Sequence, residues 1–92
     1  MKIFTYQADD LADDGTVSLP DATSGMVIVS CNAESFYGLV QADGTVALVS
    51  NSTNCAATDT DANLCIYDGG TQAIVKNRLG ATGEIRIMYF YN

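Results

Sequence analysis

Apolar residues recur along the chain in short runs, and small polar residues separate these runs at regular intervals. Each run spans four to eight residues and is rich in Val, Ile, Tyr or Phe, which favour strands. The predicted strands are KIFTYQ (2–7), TVSL (16–19), MVIVSC (26–31), SFYGLVQA (35–42), TVALVS (45–50), LCIYD (64–68), QAIVKN (72–77) and EIRIMYFY (84–91). No segment keeps an apolar period of 3.6 residues, so we expect little helix.

The segments between these runs contain Asp-Gly and Gly-Gly, which supply the positive φ angles of tight hairpin turns. About eight short strands with regular turns predict a compact all-β fold, either a β-sandwich or a jelly-roll-like barrel. The length of 92 residues fits one domain spanning residues 1–92. Because QADGTV joins two apolar runs, residues 35–50 are predicted to form a hairpin.

One six-residue pattern occurs twice, as DGTVSL at 14–19 and as DGTVAL at 43–48. Two copies are too few for a solenoid, which needs at least three repeats. We interpret the echo as one local device, a turn that leads into a strand, used at two places in the fold.

Both faces of the C-terminal run are apolar. Ile and Tyr side chains alternate there with Arg86, Met88 and Phe90, and MVIVSC (26–31) is also apolar on both faces. A sheet with water on one side would alternate more cleanly. We therefore expect the second face to be covered, either by the other sheet or by a neighbouring subunit.

The composition and the charge of the chain limit the classes of partner that we expect it to bind. Hydrophobic residues make up 48% of the chain and charged residues only 16%, which favours an oligomer that hides part of its surface. The net charge is −7: residues 1–71 contribute −9 and residues 72–92 contribute +2. Because Lys and Arg do not cluster, we expect no binding to nucleic acid and none to an anionic membrane.

The N-terminal MKIFTYQADDL lacks the apolar run of a signal peptide, and no window approaches the roughly 20 apolar residues of a membrane span. We expect the protein to stay in the cytoplasm or in a particle assembled there. Such a compartment favours free thiols for Cys31, Cys55 and Cys65. A disulfide between Cys55 and Cys65 across a loop is the alternative.

The segment DTDAN raises the question of a cation site. Asp59, Asp61 and Asn63 have the spacing of the first three ligands of an EF-hand loop. Leu64 then stands where the loop needs Gly, and Gly70 stands where it needs a bidentate Glu. We interpret the segment as a structural turn, with a weak surface cation site as the alternative.

Catalytic chemistry has little support. The chain has no His, which excludes Ser–His and Cys–His nucleophile pairs and an imidazole base. Most acidic residues fall in turn segments, where a solvated surface explains them, and no Gly-rich phosphate loop precedes a helix. We predict that the protein is not an enzyme and that it uses no cofactor.

The aromatic residues offer a binding hypothesis, because Tyr combines a large apolar area with a polar tip. A face of exposed aromatics would bind a glycan or a protein, although in a domain this small most aromatics belong to the core or to a subunit interface. The residues in question are Tyr6, Phe36, Tyr37, Tyr67, Tyr89, Phe90 and Tyr91.

Residues 36–92 resemble small accessory structural proteins of the virions of tailed bacteriophages. The features that carry the resemblance are TVALVSNSTN, then DTDANLCIYDGGT, and IVKNRLGATGEIRIMYFY at the end. The turn Asn77-Arg78-Leu79-Gly80 between two strands is the most specific of them.

The resemblance implies a compact β domain, commonly a homotrimer, on the exterior of the virion. A capsid decoration (cement) protein that binds the major capsid protein and stabilises the shell is the first expectation. A tail or fibre-tip module that binds a host glycan or receptor is the alternative. Under this interpretation residues 1–14 form a docking arm that adds a strand to a neighbour. The expected contacts with partners or subunits are Lys76, Arg78, Arg86, Tyr89 and Tyr91.

Overall fold

Nine strands in two sheets form the computed structural model, which describes all residues 1–92. The strands are β1 (Lys2–Leu11), β2 (Thr16–Ser18), β3 (Gly25–Cys31), β4 (Glu34–Val40), β5 (Val46–Asn51), β6 (Cys55–Ala56), β7 (Leu64–Asp68), β8 (Ala73–Asn77) and β9 (Gly83–Tyr91). The all-β prediction is confirmed. No helix in the structure is long and apolar enough to cross a membrane.

Each of the eight predicted runs is a strand, and the limits of β7 agree with LCIYD at both ends. Two differences stand out. Strand β1 continues to Leu11, four residues beyond KIFTYQ, through Ala8 and the acidic residues Asp9 and Asp10. Strand β6 was not predicted, because its two residues have no apolar pattern and are defined only by a parallel bridge to β7.

The larger sheet has the order β1-β9-β3-β4-β5, and all its neighbouring strands are antiparallel. The smaller sheet has the order β2-β8-β7-β6. Strands β4 and β5 form the hairpin predicted for residues 35–50, with Val40 opposite Val46. The amide of Gln41 donates to the carbonyl of Thr45 at 2.8 Å, which closes the loop between them.

The core lies between the two sheets and is built from alternate residues of the central strands. Its members are Val17, Leu19, Val27, Val29, Cys31, Phe36, Val40, Leu64, Ile66, Ala73, Val75, Ile85, Ile87 and Tyr89. The hydroxyl of the buried Tyr89 lies 2.9 Å from Thr23 Oγ1, so its polar tip has a partner. The face of β9 that carries Ile85, Ile87 and Tyr89 is therefore its core face.

Each copy of the DGTV pattern closes a four-residue turn, with a hydrogen bond between its first and fourth residues. The amide of Gly15 donates to Ala12 O at 2.8 Å, and the amide of Gly44 donates to Gln41 O at 2.9 Å. The positive φ falls on Asp14 (66°) in the first copy and on Gly44 (93°) in the second. The structure thus confirms that the echo marks a turn leading into a strand.

Asn77 is the one buried polar side chain, and it holds three segments together. Its Nδ2 donates to Leu11 O at 3.1 Å, to Ala81 O at 2.9 Å and, more weakly, to Ala12 O at 3.4 Å. Its Oδ1 accepts from the amide of Leu79 at 3.1 Å. The end of β8, the end of β1 and the loop before β9 therefore meet on one amide group.

Strand β1 lies at an edge of the larger sheet and pairs with β9 of its own chain, with Lys2 opposite Tyr91 and Ala8 opposite Ile85. A register shift between Ala8 and Leu11 inserts one extra residue, so Asp9 and Asp10 form a β-bulge. The other edge of β1 has no neighbouring strand. Docking of residues 1–14 on an adjacent subunit stays a prediction.

Candidate functional site

The outer face of the five-stranded sheet, which points away from the core, is apolar over most of its width. Residues opposite one another in an antiparallel ladder share a face, so the register identifies its members. One cross-strand row consists of Ile3, Phe90, Met26, Leu39 and Ala47. The next row consists of Thr5, Met88, Ile28, Tyr37 and Ser50.

The apolar side chains of these two rows are well exposed. Leu39 is 52% exposed and Ile3 57% exposed at either side of the face, and Met88 between them is 46% exposed. Five strands spaced by about 4.8 Å, carrying two rows about 7 Å apart, give an apolar patch of about 350 Å² in projection. Patches of this size on a single chain are often binding sites. We call these two rows the apolar face.

No charged side chain lies within the apolar face. The first charge occurs in the following row, where Arg86 lies between Gln7 and Ser30. Its guanidinium donates to Asp9 Oδ1 at 2.8 Å, to Ile85 O at 2.9 Å and to Ala8 O at 3.2 Å. Arg86 therefore ends the apolar face on one side, and its charge is engaged within the chain.

Two shallow depressions follow the surface of this sheet. One of about 570 Å³ is lined by Met26, Ile28 and Tyr37 together with the polar segment 50–52. The other, of about 520 Å³, lies over β1 and β9 and is lined by Thr5, Met88 and Arg86 among others. Each holds apolar and neutral polar groups with few charges, which suits contact with a protein surface better than acid–base chemistry.

The outer side of the smaller sheet has a different character. Lys76 and Ile74 of β8 lie there opposite Thr16 and Ser18 of β2. Lys76 Nζ lies 3.2 Å from Asp59 Oδ2, so the loop before β7 is tied to this side by an ion pair. One side of the sandwich is thus polar and partly covered by a loop, whereas the other is apolar and open.

The DTDAN segment forms a turn whose carboxylates have cationic partners in the chain. Arg78 lies 3.3 Å from Asp59 Oδ1, 3.3 Å from Asp14 Oδ1 and 3.7 Å from Asp61 Oδ1. Asn63 donates to the carbonyl of Asp61 at 2.8 Å, and Asp61 accepts from the amide of Ala62, which has a positive φ of 64°. The guanidinium and these local bonds occupy the groups that the cation hypothesis assigned to a metal, and no group of three or more His, Cys, Asp or Glu side chains could hold a metal ion.

The predicted contact residues are distributed over the molecule and do not meet. Lys76 lies on β8 of the smaller sheet, Arg78 directly follows that strand, and Arg86 lies on β9 of the larger sheet. All three make ion pairs within the chain, so contact with a neighbour through them stays a prediction. Tyr89 is fully buried in the core, which removes it from any contact surface. Tyr91 stacks on Tyr89, with ring centroids 5.0 Å apart, and stays partly exposed.

All three cysteines are free thiols in the structure. Cys65 Sγ donates to Thr60 O at 3.2 Å, and Cys55 Sγ lies near Ser35 O at 3.5 Å on the other side of the strand pair. Burial raises the pKa of the Cys31 and Cys65 thiols, which favours their neutral form. The alternative of a Cys55–Cys65 disulfide is therefore not the state seen here.

Glu34 fastens the segment after β5 to the start of β4. Its Oε1 accepts from Ser52 Oγ at 2.5 Å and from the amide of Asn54 at 3.1 Å, and its Oε2 accepts from Asn54 Nδ2 at 3.0 Å. These hydrogen bonds, that of Ser52 above all, lower the pKa of the Glu34 carboxyl below its ordinary value.

Glu34→Gln is expected to make the stability of the domain less dependent on pH in the acidic range. A carboxyl with a lowered folded pKa stabilises the fold above its unfolded pKa, and this contribution is lost as the pH falls through the lower folded value. The melting temperature of the variant, measured from pH 7 to pH 3, should therefore change less below about pH 4.5 than that of the parent. Glu84→Gln, which removes a carboxylate without those three hydrogen bonds, is the matched control. Identical pH profiles for the parent and Glu34→Gln would contradict the expectation.

The apolar face was only partly visible in the sequence. The apolar character of both faces of residues 26–31 and 84–91 predicted that a second surface would be covered. It did not identify Leu39 or Ile3, because their positions beside Met26 and Phe90 depend on the order of the strands.

No family model, curated protein or solved structure matches the chain.

Proposed function

We propose that this chain is a non-enzymatic structural protein of a bacteriophage virion, a capsid decoration protein that binds the outer surface of the shell and stabilises it. The observation that carries the proposal is the uncharged apolar face across five strands of the larger sheet. The assignment to a virion rests on the resemblance of residues 36–92 to accessory structural proteins of tailed bacteriophages. The partners in this proposal are other copies of the chain and the major capsid protein.

The apolar face supports binding to a protein surface on energetic grounds. Removing apolar area from water contributes about 25 cal/mol per Å², so a patch of about 350 Å² supplies several kcal/mol before the costs of association. Docking through this face desolvates no charge, since the nearest cation, Arg86, lies at its border and is already paired with Asp9. A flat face without a deep cleft suits a scaffold better than it suits a catalyst.

The alternative function, binding of a host glycan by a tail or fibre tip, predicted two or three exposed aromatics grouped at one end. The most exposed tyrosines are Tyr37 and Tyr6. They lie on opposite faces of the larger sheet, because Tyr37 is opposite Ile28 whereas Tyr6 is opposite the core residue Ile87. No specific observation therefore favours this alternative.

The first test locates the protein on the particle. Heads, tails and whole virions of the phage that encodes the chain are separated and blotted with an antibody against it. The proposal expects signal at high copy number in heads. Signal confined to tails would move the assignment to the glycan-binding alternative, and no signal in any particle would reject a virion role.

The second test asks whether the apolar face makes the contact. Leu39→Glu places a charge within the apolar face, and burying it against the shell should weaken co-sedimentation with heads by about tenfold or more. Gln41→Glu adds the same charge at an exposed position in the adjoining turn and serves as the control. Equal binding by both variants would show that another surface of the protein contacts the shell.

A further inference from the structure

The strand at one edge of the larger sheet, β1, contains an extra residue. Between two successive pairs with β9, β1 has Asp9 and Asp10, whereas β9 has Glu84 alone. This bulge changes the side-chain phase of the strand. Ala8 before it and Leu11 after it both pack against the core, and the two acidic side chains between them are exposed. The edge of β1 is therefore regular only over residues 2–8.

Arg86 holds this bulge from the outer face of the sheet. Its guanidinium donates to Ala8 O, which precedes the bulge, and to Asp9 Oδ1 within it. Asp10 forms no ion pair and no side-chain hydrogen bond, and Lys2 is the one basic residue without an ion pair. The regular part of the edge therefore lies between a free positive charge and a bulge that carries a free negative one.

The strand at the opposite edge, β5, has the same feature. Tyr37 and Gly38 are consecutive in β4, but Val49 separates their partners Ser50 and Leu48. The side chain of Val49 is exposed. The larger sheet thus has a β-bulge at each of its two edges, and in both cases the extra residue belongs to the edge strand.

The smaller sheet ends in short strands, since β2 has three residues and β6 has two. Short edge strands, bulges and charges at an edge are the means by which β proteins avoid pairing with further strands. All four edges of the sandwich therefore have one of these features. The two longer edges have most need of it, because KIFTYQ (2–7) and VALVS (46–50) combine strand-forming residues with a single charge.

We propose that the two bulges prevent strands of other chains from adding to the edges of the larger sheet. An added strand needs a run of backbone groups in regular extended geometry, and a bulge interrupts this run and increases the local twist. The domain then contacts its partners through its faces and not through its edges. This inference does not rest on the proposed function. It opposes the strand addition predicted for residues 1–14, and one set of measurements decides between them.

Deletion of Asp10 tests the bulge in β1. It leaves Ala8, Asp9 and Leu11 in regular alternation, so the edge becomes continuous over the whole strand. Self-association is measured by sedimentation velocity over a series of concentrations. The deletion should raise the association constant by about tenfold or more, because further backbone hydrogen bonds become possible along the edge. A folded deletion variant that sediments like its parent would overturn the proposal.

Asp10→Asn is the matched control, because it removes the charge of this residue and keeps the bulge. It should associate less than the deletion variant does. Equal association by the two variants would assign the protection to the charge alone and would overturn the role of the bulge.

These measurements are made in a chain that carries Leu39→Glu, because a charge within the apolar face suppresses self-association through that face. With both bulges intact, this chain should be a monomer at every concentration. An oligomer would show that copies join through another surface despite the bulges, and it would overturn the proposal. This result does not require that any deletion variant folds.

Deletion of Val49 tests the opposite edge in the same way. It brings Leu48 next to Ser50, so β5 matches the consecutive residues of β4 without an extra residue. Val49→Ala keeps the bulge and is the control. Far-UV circular dichroism and urea unfolding identify the variants that fold. A folded deletion variant that associates no more than Val49→Ala would overturn the proposal for this edge.

Failure of this inference is distinguishable from failure of the proposed function. Deletion of Asp10 from the otherwise unchanged chain leaves the apolar face intact and should leave binding to heads in place. Leu39→Glu should weaken binding to heads and leave the association of the deletion variant unchanged. If the deletion variant associates only when Leu39 is retained, the copies join through the apolar face, and the proposal for the bulges is overturned.

Discussion

Asn77→Ala is expected to destabilise the domain by about 4 kcal/mol, because it removes a fully buried side chain together with its hydrogen bonds to the backbone of two neighbouring segments. The amide of Asn77 serves the carbonyls of Leu11 and Ala81 and the amide of Leu79. Alanine loses these hydrogen bonds and leaves a void where the buried amide was. Urea unfolding of the parent and the variant, followed by tyrosine fluorescence, measures the difference.

The variant Asn77→Asp distinguishes the effect of losing the hydrogen bonds from the effect of losing side-chain volume. Aspartate has the same shape and keeps an acceptor for Leu79, but when ionised it offers no donor to the carbonyls of Leu11 and Ala81. Burial should raise the pKa of such a carboxyl, so the variant should be most stable below the ordinary pKa of aspartate and lose stability as the pH rises through the raised value.

Asn51→Ala is the surface control for this series, since Asn51 is exposed and bonds only to the neighbouring Ser52, and it should change stability by less than about 0.5 kcal/mol. A cost for Asn77→Ala equally small would mean that water replaces the side chain without loss.

Gly25→Ala is expected to cost about 3 kcal/mol or more, because the added methyl group would meet backbone rather than a movable side chain. A Cβ on Gly25 would lie 1.8 Å from the carbonyl oxygen of Phe90 and 2.8 Å from Tyr91 Cα. Gly25 pairs with Tyr91 on one side and with Val40 on the other, so β3 cannot shift away from β9 without opening the ladder to β4.

The measurement for Gly25→Ala is the melting temperature, which should fall by well over 10 °C in a domain of this size. Ser24→Ala, one residue earlier and exposed, changes no backbone contact and is the control. A small shift for Gly25→Ala would indicate that the end of β9 frays from β3 at little cost.

The architecture was largely predictable from local pattern. Val, Ile and Tyr at period two, separated by Asp-Gly turns, identified every strand longer than two residues, and the DG turn at 43–44 identified its hairpin. These features depend on residues close in sequence, where backbone preferences and side-chain alternation act directly.

The order of the strands was not predictable in the same way. Strand β9 lies between β1 and β3, so the neighbours of Met88 come from positions about 60 and 80 residues earlier in the chain. The apolar face exists only in that order, which explains why Leu39 and Ile3 were not among the predicted contacts. The prediction for Tyr89 was wrong in the opposite sense. This aromatic was predicted to contact a partner but lies in the core, because side-chain alternation places it on the same face of β9 as Ile87 and on the opposite face from Met88.

The central position of β9 also has a consequence for biosynthesis. Strand β9 joins β1 to β3, and it is the last of the nine strands to be synthesised. Until residues 83–91 emerge, the larger sheet is divided into a free N-terminal strand and the β3–β5 meander, with Val27 and Val29 lacking the strand that completes their ladder. A nascent chain in that condition exposes an edge and part of a core, which makes it a substrate for chaperones and for self-association on crowded polysomes. The larger sheet is therefore completed only when the last of the nine strands has been synthesised.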